Sequence, residues 1–390
     1  MKIAMTTTLL PVTHYSVSLL QALQRSDTET VIYANRDPEN LSVPLENVRL
    51  VWSSNFMYPW HILSAVIKDR PDIVHLQHEF NMYGGKTGAA LFPLLLFLLR
   101  MLGKRTIVTV HAVIDTREVD ARFSRTFSWS DNPLALRVTR IVLEVIYRAI
   151  AKLSTATITH TQGLRELLVT RYGADPQTAH VIPIGVSSPS LEHKDVSAHR
   201  FGLQEGQDFI LCFGYIVRHK GLEHLIETFE KIHGDYPDCK LILAGAARDP
   251  DYLVELQDWV QTHGIEEQIL FPGFMTESEI SWLFSHARFS VFTYQYSVSA
   301  SHPLTFAIAH HCPAIAPSMG IFQEEITEGV NGLLVPPEDE TALSSAMRRL
   351  LEDDLLRERL AEGMVEQRQE RDWAQVALQT VKAYNQALSD

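Results

Sequence analysis

Between Phe209 and Pro337 the chain runs through five apolar stretches, each closed by glycine or proline and most of them followed by a helical pattern. In order they read FILCFGYIVRHKGLEHLIETF, CKLILAGAARDP, QILFPGFMTESEISWLF, FSVFTYQYSVSASHPLTFAIAHHCPAIAPS and EEITEGVNGLLVPP. Short β-rich runs alternating with amphipathic helices predict a parallel sheet, because a parallel strand can follow another only through a long crossover.

The first half shows the same alternation. Strands are expected at KIAMTTT, TVIYAN, VRLVW, DIVHLQ, RTIVTVH, TATITH and AHVIPIG, with helices near 15–25, 59–70, 84–102, 133–153 and 163–173. A polar stretch, VSSPSLEHKDVSAHR, separates the two series. The expected fold is α/β, with two doubly wound Rossmann-like domains over 1–186 and 187–371 and a last helix over 372–390. Ligands of such sheets bind beyond the carboxyl ends of the strands, so the site should be a central cleft between the domains.

A chain of 390 residues with 46% hydrophobic residues can bury two cores. Cys212, Cys239 and Cys312 lie inside apolar patterns with no CxxC pairing, which predicts buried thiols in a reducing, cytoplasmic compartment. The opening MKIAMTTTLLPV has no apolar signal core, so no export signal is expected. Residues 89–102 form the longest apolar run, shorter than a membrane span needs, and include Arg100. Residues 1–186 carry a net charge of +4 and residues 187–390 carry −17, together the −13 of the chain. The acidic balance argues against nucleic acid as a partner. The basic first half leaves room for an anionic lipid or saccharide.

GYIVRHKGLEHLIETF from Gly214, the SASHPLTFAIAHHCPAIAPS stretch and EEITEGVNGLLVPP resemble the nucleotide-sugar half of retaining glycosyltransferase family 4, which has the GT-B fold. The resemblance implies that Lys220 reaches the pyrophosphate of a nucleoside diphosphate sugar, with Arg218 a second cation on the same loop. A helix start adds free N–H groups and a positive dipole end to that charge. It also implies base contacts near Gly273 and Phe274, a donor contact from Glu324, and a final helix that crosses back onto the first domain.

Several residues depart from the family pattern. Tyr215 stands where the family has Arg, and Val298 and Phe306 stand where it has a Glu-x7-Glu pair. The pair Ser301 and His302 resembles a subset that grips phosphate or sugar with a hydroxyl, an imidazole and a helix start; Ser301 is equally a plain helix N-cap.

In the first domain, the resemblance implies that His111, at the end of RTIVTVH, meets the transferred sugar. HLQHEF places His75, Gln77 and Glu79 on one strand face and His78 on the other. Glu79 and His78 are the expected acceptor contacts, and their spacing does not fit a helical metal motif. The first turn, TTLLPVTHYS, has no glycine, so His14 either replaces the family's glycine-rich phosphate loop or simply begins the helix. Arg100, Lys104, Arg105, Arg137, Arg140, Arg148 and Lys152 flank two long apolar helices, which either lie on an anionic membrane as peripheral elements or only pack on the sheet.

The expected function is therefore retaining transfer of a sugar to a hydroxyl of a saccharide or lipid-linked acceptor, in glycan, exopolysaccharide or glycolipid assembly. No metal or other cofactor is expected. The absent carboxylates suggest an alternative, an inactive homologue acting as a scaffold; a sugar-nucleotide epimerase of the same fold is a further alternative, which would need extra acid and base groups and is disfavoured by the loss of the two Glu.

Overall fold

The computed structural model describes residues 1–8, 15–25, 28–36, 47–80, 82–188 and 196–389. The first sheet has seven strands: β1 (Lys2–Thr7), β2 (Glu29–Asn35), β3 (Val48–Trp52), β4 (Ile73–His78), β5 (Arg105–Val110), β6 (Ala156–Thr159) and β7 (Ala179–Val181). They run parallel in the order β3-β2-β1-β4-β5-β6-β7. Its helices are α1 (Tyr15–Leu23), α2 (Tyr58–Asp69), α3 (Gly85–Met101), α4 (Ala121–Thr126), α5 (Pro133–Leu153) and α6 (Gln162–Tyr172).

The second sheet is also parallel, in the order β10-β9-β8-β11-β12-β13. It comprises β8 (Phe209–Phe213), β9 (Lys240–Ala244), β10 (Ile269–Gly273), β11 (Phe289–Val291), β12 (Ala314–Pro317) and β13 (Gly332–Val335). Around it lie α7 (Leu222–His233), α8 (Pro250–Thr262), α9 (Glu277–His286), α10 (His302–Ala309), α11 (Gly320–Glu325), α12 (Glu340–Glu352) and α13 (Asp354–Glu370).

Both faces of each sheet are covered, which is why the strands read as nearly continuous apolar runs. In the first domain Ala4, Val74 and Leu76 pack with α2, α3 and α5, while Ile3, Met5 and Ile73 face α1 and the last helix, α14 (Trp373–Ser389). Thus α14 follows the second domain in sequence but packs on the first, through Val376, Ala377 and Tyr384. Its start is pinned where Trp373 lies over Gly185, whose missing side chain leaves room for the indole.

Helix α4 has no counterpart in the sequence reading, because six residues show no periodicity. Asp120 caps it by accepting from the Phe123 N–H at 2.8 Å. The segment reaches the second domain: Arg122 pairs with Glu338, Phe127 stacks on His219 at 4.8 Å, and the Ser128 hydroxyl donates to Asp249 at 3.0 Å. All three cysteines are buried and free. Among the described residues no helix is long and apolar enough to cross a membrane.

Candidate active site

A cavity of ≈ 360 Å³ opens between the carboxyl ends of the two sheets. The first domain contributes Thr7, Glu79, His111, His160 and Ile184, each at or just beyond a strand end. The second contributes Phe213 to Tyr215 after β8, Gly245 and Ala246 after β9, Phe274 and Met275 after β10, and Tyr294 after β11. This size suits one nucleotide-sized ligand.

Lys220 sits at the floor. The chain leaves β8 through Gly214, turns at Arg218–Lys220, and enters α7 through Gly221 in the left-handed conformation (φ 60°). A side chain at Gly214 would collide with the Lys220 Nζ, and one at Gly245 with the Gly214 carbonyl, so glycine at both positions lets two backbones and an ammonium converge. Lys220 is 6% exposed. Its Nζ makes one long contact, 3.5 Å to the Phe213 carbonyl, and lies 5.5 Å from the Tyr294 ring centre. Among the described residues no carboxylate pairs with it. An ammonium buried this way without an anion is costly, and three donors held beside a cavity favour one.

His111 faces Lys220's domain from the opposite wall. Its Nε2 lies 2.8 Å from the Gln77 Oε1 and its Nδ1 lies 3.0 Å from the His160 Nε2. The Tyr15 ring meets it edge-on at 5.1 Å. Burial pushes His160 down to about 4, so its ring is neutral at neutral pH.

The start of α10 closes the second wall with Ser301, His302 and Pro303. Ser301 caps the helix, its hydroxyl accepting from the Leu304 N–H at 3.4 Å, while also bordering the cavity. Phe306 borders the cavity too, packed against Phe213, Phe284 and His302. Val298 gives its carbonyl to the Val113 N–H at 2.9 Å, in a bridge between the domains. Phe306 thus lines the cavity, and Val298 lies in the contact between the domains.

Glu79 borders the cavity and is open to it. The enclosing walls raise its carboxyl above the usual range, against the lowering field of Arg248. Phe274 also lines the cavity, whereas Gly273 stands just behind, its carbonyl accepting from the Gly245 N–H at 2.9 Å. His14 lies outside the described residues.

Three of the expected contact residues do not line the cavity. Arg218 does not line the cavity: its guanidinium is clamped by Glu255 (2.7 and 2.7 Å) and Asp249 (3.2 Å) over the Tyr252 ring. His78 is 1% exposed and packs on Phe80, Phe92 and Tyr147, with neither ring nitrogen hydrogen-bonded among the described residues. The alternation of β4 turns it away from Glu79 and into the helical layer. Glu324 points at the other domain, accepting from the N–H groups of Gln162 (2.6 Å) and Gly163 (2.8 Å) at the start of α6.

The sequence reading missed Arg248. Its guanidinium lies 4.2 Å from the Tyr215 ring centre and donates to the Tyr215 hydroxyl at 3.0 Å. Tyr215 in place of arginine was the available signal, since a tyrosine at that turn can hold a cation brought from the neighbouring loop. Away from the cavity, His224, Glu227 and Glu340 bring ligand atoms within 4.8 Å of one another, but Lys231 already pairs with Glu340.

Two parallel-sheet domains sharing a cleft at their strand ends, with a buried cation at a glycine turn, define the GT-B class of glycosyltransferases. Two family models divide the chain between them, Glycosyltransferase Family 4 over residues 12–188 and Glycosyl transferases group 1 over residues 194–366. The chain belongs to the family 4 type of GT-B glycosyltransferases. It is 25% identical to the alpha-D-kanosaminyltransferase of Streptomyces kanamyceticus over 72% of this chain and 69% of that enzyme. Other curated relatives are matched over smaller shares of their own length, 61% and 57% for two of them. The sucrose-phosphate synthase of Thermosynechococcus elongatus shares the fold with a TM-score of 0.77 at 18% identity, covering 100% of this chain and 99% of its own. HepE of Anabaena, solved in complex with UDP-glucose, gives a TM-score of 0.76 at 16% identity over 99% and 100% of the two chains.

Proposed function

We propose that the chain transfers a sugar, with retention of anomeric configuration, from a nucleoside diphosphate sugar to a hydroxyl of a saccharide or lipid-linked acceptor in glycan, exopolysaccharide or glycolipid assembly. The observation that carries this reading is the buried Lys220 at the Gly214 turn, which no carboxylate pairs with among the described residues. A diphosphate bound there receives the ammonium, the positive end of α10 beside it and, from the rim, Arg248. As the glycosidic bond breaks, charge builds on the leaving phosphate, so these groups act most strongly in the transition state. His111 faces the sugar from the other wall, and Glu79 stands where an acceptor would enter. Protein cations supply the neutralising charge, so the reading asks for no metal, and a chelator should leave turnover unchanged.

A lipid-linked acceptor is supported by the outer layer of the first domain. Phe56, Trp60 and Ile67 around α2, Phe97 and Met101 on α3, and Leu134, Val138, Ile141 and Val145 on α5 are all exposed. Nearby Asp69 and Glu144 are already paired with arginines, while Arg137 is exposed on the α5 stripe. Such a surface fits the peripheral face of an anionic bilayer. Sedimentation with anionic liposomes at low salt tests this, and protein left in the supernatant contradicts it.

Phe306 and Val298 favour a second reading, an inactive scaffold for another glycan enzyme. Thermal shift against UDP-, GDP- and ADP-sugars separates the two, because a donor that binds the folded state raises the midpoint. Silence across the panel favours the scaffold.

A further inference from the structure

A chain of hydrogen-bonding groups leads from the cleft through the first sheet to α14. Beyond His160 and His111 it continues through Gln77, whose Nε2 lies 3.3 Å from the His75 Nε2; that nitrogen also meets the Thr109 hydroxyl, its nearer partner at 2.7 Å, and the His75 Nδ1 meets the Tyr384 hydroxyl at 2.7 Å. His75, Gln77 and Tyr384 are fully buried.

The backbone fixes the proton order at one end. The His160 Nδ1 lies 2.9 Å from the Ile182 carbonyl, which can only accept, so that nitrogen carries the proton. In neutral His160 the Nε2 is then an acceptor, and the His111 Nδ1–H must donate to it. His111 therefore gains or loses its second proton at Nε2, the atom against Gln77.

A glutamine amide can serve both states. With neutral His111, the Gln77 NH2 donates to the His111 Nε2, its carbonyl accepts from a His75 Nε2–H, and the Tyr384 hydroxyl donates to the His75 Nδ1. With the imidazolium, every direction reverses: His111 donates to the Gln77 oxygen, the amide NH2 donates to His75, and His75 donates to Tyr384. The two states differ by a half-turn of one amide, a tautomer change in His75 and a turn of the Tyr384 and Thr109 hydroxyls, Thr109 accepting from the His75 Nε2–H in the first state and donating to that nitrogen beside Gln77 in the second.

We infer that Gln77 is the positioning residue of His111, an amide that keeps the cleft imidazole hydrogen-bonded in both charge states and links its protonation to the C-terminal helix. This rests on His111 as a cleft residue of the transfer reaction. Gln77 contacts no substrate and acts through His111. It lets the ring take up or release a proton opposite the diphosphate without leaving a lone pair or an N–H unpaired. Among the described residues, groups facing this part of the chain include the Tyr15 ring on α1, His302 on α10 and Arg371 before α14, the last two acting on His160 through their fields.

The test is long-range 1H–15N NMR on the full chain labelled with 15N-histidine, with His111→Asn used to assign the ring. We expect the Nδ1–H tautomer of His111 in the unmodified protein. Gln77→Glu can only accept, so it should hold the cation and raise the His111 titration by at least about one unit, a tenfold gain in proton affinity. Gln77→Met removes both partners and should lower it, because the charged donor loses more. A purely structural role would move both variants alike. An Nε2–H tautomer, or titrations that shift in the same direction or not at all in folded variants, would overturn the inference. Should Gln77→Glu not fold, the downward shift in Gln77→Met decides alone. If the titrations move as stated and no donor is turned over, the transferase reading fails while the relay stands.

Discussion

The Glu324 carboxylate of the second domain accepts the Gly163 N–H of the first at 2.8 Å, across the start of α6. Together with its bond from the Gln162 N–H, this makes Glu324 a helix cap supplied by another domain. Gly163 suits the contact, because a Cβ there would stand 3.0 Å from the Glu324 Oε1.

Glu324→Ala should therefore lower stability by about 1 kcal/mol and open the domains, read as a larger radius of gyration in solution scattering. Donor affinity should stay within a factor of about 3, ~0.6 kcal/mol. A tenfold loss of donor affinity at unchanged thermal stability would instead place Glu324 on the donor.

The sequence reading placed Arg218 at the donor and gave Arg248 no role, whereas the proposed site uses Arg248 at its rim. Arg218→Ala should cost about 1 kcal/mol of stability, since its ion pairs are partly exposed, and leave donor turnover intact. Arg248→Ala should leave the unfolding midpoint unchanged and weaken donor binding by about tenfold, 1.4 kcal/mol. Calorimetry and melting curves on both variants check this, and equal effects on binding would contradict it.

His78 buries an imidazole with no hydrogen-bond partner among the described residues. His78→Leu removes that penalty and should stabilise the protein by about 1 kcal/mol. A lower melting temperature would show that a water or ion satisfies the ring.

Burial pushes both His75 and His78 down to about 3 from an ordinary 6.5. The unfolded chain takes up these two protons first, so stability is full above pH 6.5 and declines as pH falls toward 3. Each ring adds a slope of up to about 1.4 kcal/mol per pH unit in that window. Denaturant unfolding from pH 7 to 4 should show the decline, and it should be shallower in His78→Leu.

The fold was legible because strands buried on both faces must be apolar along their length, as ILCF in β8 and LILA in β9 show. That Lys220 and His111 line the cavity was legible because strand ends and glycine turns fix where a chain meets its cleft. Side-chain direction was not. Arg218 and Arg248 both stand near Gly214, and acidic neighbours 31 and 37 residues further along decide that Arg218 is withdrawn. His78 was misplaced because strand alternation tells which face a residue takes and not what covers that face. The bond from Glu324 to α6 joins residues 161 apart, a pairing no local pattern encodes.

The central claim is that Lys220, paired with no carboxylate among the described residues, is placed to receive a donor's diphosphate. Calorimetric titration of the unmodified chain and Lys220→Ala with UDP-, GDP- and ADP-sugars tests it most directly. One donor should bind the unmodified protein, and Lys220→Ala should bind it at least about tenfold more weakly, 1.4 kcal/mol or more, with its fold retained. Binding of no donor, or equal binding by both proteins, would contradict the account.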